Sequence, residues 1–514
     1  MMTIKVSYKT MNRIMELVRP LSGTAEAYLK IDFGTGKSGQ GEQVMMDNKV
    51  SLTNGTEQIE AGFRTSIPQE VEKPLEQCNI LSPLESCVFK ASEFVSVVDV
   101  LCSYEQDLSI ETDSAKAIIA IDGVAEFPVY KTDANNMKAL IPHRNNSPSY
   151  ELHDADVMTL RFVSKEFTDT VKGCAPIAKK IGVEALRYYR FIAKDIPLET
   201  VTVEEDGVSK TMPRYNMAVQ AIVTNQNSFV SESCKCFAHK GSGNDLVQRV
   251  SAAKDVENPV ISFTKEGDEV KPVVIPFTEY FKKYSEERKI NGEGFQFGIP
   301  VDVMDAIVKL AGTDAEDYVD ITIGMKYIQI FMRRIGFIYT APQRSLIGAP
   351  DFTAAARSLS EMTGREGSYM EFDSKELSNT MKLMSLYDKD ALISRMPLTL
   401  EFTEEGISIK RGEAKANIKA LKADIKEEHV LYGMDQSYIP CIISAIPAGT
   451  FRVTYGIKKS CMAFTKGDVR PDADSNVIII GAVDDIEKRI NEIKDSFEKE
   501  QEAKAKKEAE KKNK

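Results

Sequence analysis

The chain has 514 residues, 42% of them apolar, and its 77 acidic residues outnumber 66 basic ones to leave a net charge of −11. That length exceeds one ordinary core and predicts about three domains, while the negative balance excludes a surface that binds nucleic acid everywhere and leaves room only for a local basic lining. No apolar run reaches the ~18 residues of a membrane span, and the N-terminal MMTIKVSYKT lacks an apolar signal core, so a soluble, cytoplasmic protein without membrane contact is expected. Eight scattered cysteines without framework spacing read as reduced, mostly buried thiols.

In chain order, one pattern recurs six times: a short strand, a polar or capping residue, an amphipathic helix of about three turns, then alternating strands. The predicted helices are Tyr8–Leu21, Lys90–Tyr104, Ser164–Ala178, Pro300–Gly312, Asp373–Leu386 and Asp435–Ile446. Phe94, Val97, Val98 and Leu101 fall on one stripe of the second, and Val303, Ile307 and Leu310 on one stripe of the fourth. Ser164, Asp373 and Asp435 stand where caps belong, and Pro300 where a first-turn proline is welcome. Behind the helices the period changes to two, as in Leu108–Thr112 then Ala117–Ile121, or Val319–Ile323 then Ile328–Phe331, which predicts antiparallel hairpins.

Six helix-plus-sheet units taken two by two give three similar α+β domains, each sharing one core. The boundaries fall near Ser147 and Ser360, giving domains 1–147, 148–360 and 361–484 and a tail 485–514. Helix starts lie about 136 residues apart in the middle domain against about 82 and 62 in the outer ones, so it carries extra material, placed at Thr200–Met212 and Lys240–Lys289. Both stretches are rich in Glu, Lys, Gly and Ser and are expected to be loops or small excursions. In the tail, Ile486, Ile490, Ile493 and Phe497 form a helical stripe, followed by EKEQEAKAKKEAEKKNK with nothing large and apolar to bury, which predicts a helix that docks briefly and then runs into solvent, the alternative being a partner-binding or ring-flanking helix.

Two short motifs point elsewhere. Gly34-Thr-Gly36-Lys37-Ser38 ends like a phosphate-binding loop, but Ile31 occupies the position of the required first glycine and no helix start follows, so a hairpin loop is expected. Cys234, Cys236 and His239 lie close together, yet without a second ligand pair they read as alternating residues of a strand. No histidine stands in a recognisable nucleophile context, and no catalytic residue, metal or cofactor is expected.

The order of elements and their local sequences resemble the bacterial beta subunit of the replicative DNA polymerase III, the DNA sliding clamp, along nearly all of residues 1–483. The stretch CVFKASEFVSVVDVLCSYEQDLSIETDSAKAIIAI, ending in Glu126-Phe127-Pro128, is similar to the family's second helix and following strands. Leu186-Arg187-Tyr188-Tyr189 before Phe191-Ile192 resembles its arginine–tyrosine segment, and Gly348-Ala349-Pro350-Asp351-Phe352 its interdomain linker. MEFDSKELSNTMKLMSL, Met434-Asp435-Gln436-Ser437-Tyr438-Ile439 and Val477–Ile480 are similar to its third domain.

This resemblance implies a DNA-clamp fold and a non-enzymatic processivity factor: a head-to-tail homodimer ring around double-stranded DNA that tethers the replicative polymerase, a clamp loader and other clamp-binding peptides. Sequence-independent sliding requires cations facing phosphates, and matching positions are Arg13, Arg19, Lys165, Lys172, Lys179, Lys180, Lys375 and Lys382. The six helical segments, with Lys179 and Lys180, nevertheless sum to only +1. A partner-peptide groove between the second and third domains would be walled by Arg190, Thr224, Asn227, Phe229, Pro300, Met304, Ile480, Ala482 and Val483. Several depart from the family: Asn227-Ser228-Phe229 replaces histidine-arginine-leucine, Arg190 replaces a leucine, and Ile480–Val483 replaces a methionine-proline-rich ending. A divergent clamp of phage or plasmid type, with its own peptide preference, is the expectation; the competing class is a structural or scaffolding protein that uses the fold without encircling DNA.

Overall fold

The structure, a computed structural model, describes residues 3–33, 36–38, 43–68, 86–137, 158–179, 181–205, 208–225, 228–240, 259–266, 269–276, 295–311, 317–323, 327–332, 337–342, 368–386, 391–426, 430–435, 438, 442, 449–455, 461–466, 477–481 and 485–512. Five predicted helices appear close to their expected bounds: α1 Tyr8–Ser22, α2 Ala91–Cys102, α3 Ser164–Ala178, α4 Val301–Leu310 and α5 Ser374–Ser385. Of the sixth, only Asp435, Tyr438 and Ile442 lie within the described residues. A long C-terminal helix, α6, spans Ile486–Lys512.

The helix starts follow local chemistry. Ser7 accepts a hydrogen bond from the Thr10 amide at 3.2 Å, and Asp373 accepts one from the Glu376 amide at 3.0 Å, each satisfying an amide that the first turn leaves without a partner. Ser164 does not act as the expected cap. Val163 occupies that position, while Ser164 is the first helical residue, buried, with its amide donated to the Asp317 carbonyl at 2.8 Å. Pro300 likewise caps α4 rather than opening its first turn, its ring-fixed φ of −57° suiting the extended residue before the helix.

Each helix buries one stripe. On α1 these residues are Met11, Ile14, Met15, Leu17, Val18 and Leu21, whose transfer from water contributes ~2 kcal/mol per side chain. On α2 the buried face includes Val95 as well as Phe94, Val98 and Leu101, whereas Val97 and Leu310 of α4 are only partly covered.

Among the described residues, twenty-two strands form one continuous antiparallel sheet that carries these helices on its core side. Two strand pairings bridge distant parts of the chain. Gln58–Glu60 pairs with Ile338–Thr340, and Ser228–Ser231 pairs with Val477–Ile480. A second, four-stranded sheet combines Leu398–Thr403, Gly406–Arg411, Ala414–Lys419 and Val430–Met434.

Among the described residues both insertions contain paired strand, the small excursions that the composition allowed. Thr200–Met212 is the outer part of a long hairpin, Tyr188–Glu205 against Val208–Thr224, and within the second insertion Pro259–Glu266 pairs with Glu269–Pro276. The alternating Val201 and Val203 and the run Val273–Ile275 are strand-forming residue types. The hairpin expected at the glycine-rich motif is present, with Gly36–Ser38 paired to Val44–Met46, while Gly34 and Thr35 lie outside the described residues.

Candidate nucleic-acid interface and partner groove

Four helices stand side by side on the sheet. α1 packs against α2 on one flank and α4 on the other, and α4 in turn packs against α3, so the order is α2, α1, α4, α3. A charge network crosses the first three. Asp99 of α2 accepts from Arg19 at 2.9 Å, Arg19 also donates to Glu16 at 2.8 Å, and Glu16 receives Lys309 of α4 at 2.5 Å. Burial pushes the Glu16 carboxyl up, but hydrogen bonds from Lys309 and Arg19 outweigh it and hold the group below its ordinary 4.5. The bond to Asp99 raises the Arg19 guanidinium, with burial opposing it and Glu16 reinforcing it.

The predicted cations therefore divide. Arg19 faces two carboxylates of its own chain, so its charge is largely neutralised. Arg13, Lys165, Lys172, Lys179, Lys375 and Lys382 are exposed on or at the end of their helices, and Lys180 lies outside the described residues. Lys179, at the end of α3, pulls against the burial that raises the Asp305 carboxyl on α4.

Strand alternation sorts the groove residues. Arg190 is in register with Ile222, two residues before Thr224, which pairs with Phe229. These four share one face of the sheet, because residues two apart or directly opposite point the same way. Phe229 packs there with Ile192, Ile222, Cys461 and Ala463 in a small buried cluster of its own. Ile480 pairs with Ser228 and so points to the other face, where it is fully buried in the main core. Met304 also lies in that core at 0% exposure, and Pro300 is half-buried opposite Tyr188. Asn227, Ala482 and Val483 lie outside the described residues.

Arg190, Thr224 and Phe229 thus come together, while Met304 and Ile480 are packed behind the sheet. The sequence reading missed Ile192, Ile222, Cys461 and Ala463, whose signal was the period-two spacing around Arg190 and Phe229. It also missed Asn225, which donates to the Tyr438 hydroxyl at 2.9 Å across the same seam, while Thr224 turns back to the Ser228 carbonyl at 2.8 Å.

Two edge strands, one in the large sheet and one in the four-stranded sheet, share one construction. Among the described residues, Ala125–Tyr130 pairs on one side only, with Lys116–Ile121, and α2 packs beside it. Among the described residues Ala414–Lys419 likewise pairs on one side only, with Gly406–Arg411, and α5 packs beside it. Each free edge is flanked by exposed apolar groups: Val100, Tyr104, Phe127 and Tyr130 at the first, Leu383, Leu386 and Leu421 at the second. Their charges are opposite. The first exposes Glu105, Asp107, Glu126 and Asp133, with Asp122 held by Lys5, whereas the second exposes Lys415, Lys419, Lys422 and Lys426 against Glu413 and Asp424.

The cysteine pair stands as alternating residues of one strand. Cys234 and Cys236 are buried, paired in register with Val219 and Met217, and burial pushes the Cys234 thiol up to about 12 and raises that of Cys236 as well, as for inert core thiols. Six free cysteines are all buried among the described residues, where no helix is long and apolar enough to cross a membrane.

No sequence model of a protein family matches the chain, and no curated protein matches it by sequence. Solved structures do match in shape. A protein from Eubacterium rectale assigned as a DNA polymerase III beta subunit aligns with a TM-score of 0.54 at 11% identity, over 94% of this chain and 100% of its own. The DNA polymerase sliding clamp of Bacillus subtilis aligns with a TM-score of 0.51 at 15% identity, over 94% and 99%. The DNA polymerase III beta subunit of Thermotoga maritima aligns with a TM-score of 0.52 at 9% identity, again over 94% and 99%. With the helix row and the continuous antiparallel sheet, these full-length alignments establish that this α+β chain has the DNA-clamp fold of the bacterial polymerase III beta subunits.

Proposed function

We propose that the chain is a non-enzymatic sliding clamp: two copies close head to tail into a ring around double-stranded DNA and tether a replicative polymerase. The observation that carries this reading is the pair of free sheet edges. One is acidic and the other basic, each is rimmed by exposed apolar side chains, and unlike surfaces on identical chains are what a heterologous interface joins. An exposed edge strand left unpaired is an aggregation liability, so a partner strand is the economical use of both.

On this reading the chain divides into clamp domains 1–147, 148–360 and 361–484 with a helical tail 485–514, and the helices face the hole. Exposed Lys165, Lys172, Lys179, Lys375 and Arg13, with Lys180 and Lys382, face phosphates without reading bases. Arg19 stiffens the wall more than it attracts DNA. Partner peptides, including those of the polymerase and the clamp loader, dock at the seam beside Arg190, Thr224 and Phe229, where Asn227, Pro300, Ala482 and Val483 complete the rim; Met304 and Ile480 support it from behind.

The scaffolding alternative draws on the neutralised Arg19 and the near-neutral helix row. Sedimentation velocity on the wild type and on Phe127→Asp and Leu386→Asp variants tests the ring. A wild-type dimer and folded, monomeric variants are expected; a wild type that stays monomeric at micromolar concentration contradicts closure.

A further inference from the structure

The C-terminal helix has a docked half and a projecting half. It follows the seam strand Val477–Gly481 in sequence and begins after Asp485, whose φ is +46° and whose side chain accepts a hydrogen bond from the Lys488 amide at 3.1 Å. Ile493 is buried, and Glu500 accepts two hydrogen bonds from Arg395, each 2.9 Å, while the Arg395 guanidinium lies 5.4 Å from the centre of the Phe497 ring. Arg395 belongs to the short turn Ile393–Arg395, and the side chain of Ile393 abuts Gly412, the turn that leads into the free edge Ala414–Lys419. The helix is therefore pinned at the rim of the basic end.

Beyond Glu500 the helix continues for twelve residues, about 18 Å at 1.5 Å per residue. Residues 501–504 are exposed, and 501–512 hold five lysines against three glutamates with nothing larger than alanine that is apolar. Such a stretch gains nothing by folding back on its own core. Spaced Glu and Lys, such as Glu500 with Lys504 and Glu502 with Lys506, favour a straight helix that holds its direction.

We infer that this projecting half is a strap across the ring joint: it lies against the acidic first-domain end of the neighbouring copy, facing Glu105, Asp107, Glu126 and Asp133. The inference rests on the head-to-tail reading, and two features favour a second copy over other occupants. The helix is fastened beside the edge that this reading places in the joint, and its lysine excess matches the acidic face that would lie opposite. The strap extends the joint with screened charge pairs, so its contribution falls with salt.

The test is the dimer dissociation constant, measured by sedimentation equilibrium at 50 and 500 mM NaCl, for the full chain, a chain ending at Glu500, and a full-length Lys504→Glu, Lys506→Glu, Lys507→Glu variant. Both variants keep the docked half. Expected are about fivefold weaker dimers at low salt for both, convergence with wild type at high salt, and recovery of the triple variant when Glu105→Lys and Glu126→Lys are added. Unchanged low-salt dimerisation overturns the strap, also when retention on DNA falls, since the helix end would then contact DNA instead. A full-length chain that is monomeric overturns the ring reading and the strap with it, a result distinct from a normal dimer indifferent to truncation.

Discussion

Glu16 of α1 and Lys309 of α4 meet at 2.5 Å although 293 residues separate them, and Arg19 and Asp99 extend the contact to α2. Three helices are thereby tied in one line, which fixes their spacing along the wall while removing Arg19 from the cations available to a duplex.

Glu16→Gln is expected to destabilise the chain by about 0.5 kcal/mol at neutral pH, since Lys309 and Arg19 are substantially exposed and solvent screens the network. The pH dependence has a definite sign. The folded carboxyl titrates below its ordinary 4.5, so its stabilisation is complete above that value and is lost as pH falls through the lower folded value. Thermal unfolding of wild type and Glu16→Gln should differ at pH 7 and converge below pH ~4; a gap unchanged down to pH 3 contradicts the network.

Arg452 and Glu371 form a buried pair at 2.6 Å, with the guanidinium 4.1 Å from the centre of the Tyr369 ring. Arg452→Ala leaves the Glu371 carboxylate with Lys422, 3.9 Å away, as its one remaining cation among the described residues, and should cost about 3 kcal/mol in urea unfolding. Replacing both, as Arg452→Met with Glu371→Leu, should return most of that loss. A single variant within ~1 kcal/mol of wild type would show that the pair is dispensable.

Gly406 has φ +155°, and an added Cβ would sit 2.0 Å from the Ile418 carbonyl oxygen in the neighbouring strand. Gly406→Ala must therefore push apart the edge hairpin of the basic end, at a cost of at least about 2 kcal/mol. Gly55→Ala, where nothing lies within 4 Å but φ is +87°, should cost about 1 kcal/mol. Equal thermal shifts for the two would count against the close approach.

Lys165→Glu with Lys172→Glu reverses two exposed charges on α3, and DNA association should become weaker and less salt-dependent, the logarithmic slope falling by about one per lost phosphate contact. Arg19→Ala should change that slope little. The reverse ranking, measured by fluorescence anisotropy over a salt series, would place the duplex along α1.

The helices were legible in the sequence because a buried stripe at 3.6-residue spacing is a local signal, and the hairpins because alternation and turn residues are local too. What escaped depends on partners far along the chain. Ser164 reads as a cap, yet the Asp317 carbonyl draws its amide into the helix start. Thr200–Met212 reads as loop by composition, but its two arms satisfy one another as strands. Ile480 and Phe229 both read as groove wall, and only the register of Ser228 against Ile480 reveals that they face opposite sides of the sheet. Arg19 reads as a free cation because neither Asp99 nor the α4 lysine that engages Glu16 is near it in sequence.

The central claim is topological linkage to DNA, and the most direct measurement is retention on a closed circular duplex before and after a single restriction cut, in salt high enough to suppress ordinary phosphate binding, with a loader supplied if closure needs one. A ring stays on the circle and runs off the linear ends, with Phe127→Asp retained on neither. Equal retention on both forms, or on neither when the loaded dimer is intact, would contradict an encircling clamp and favour the scaffolding role.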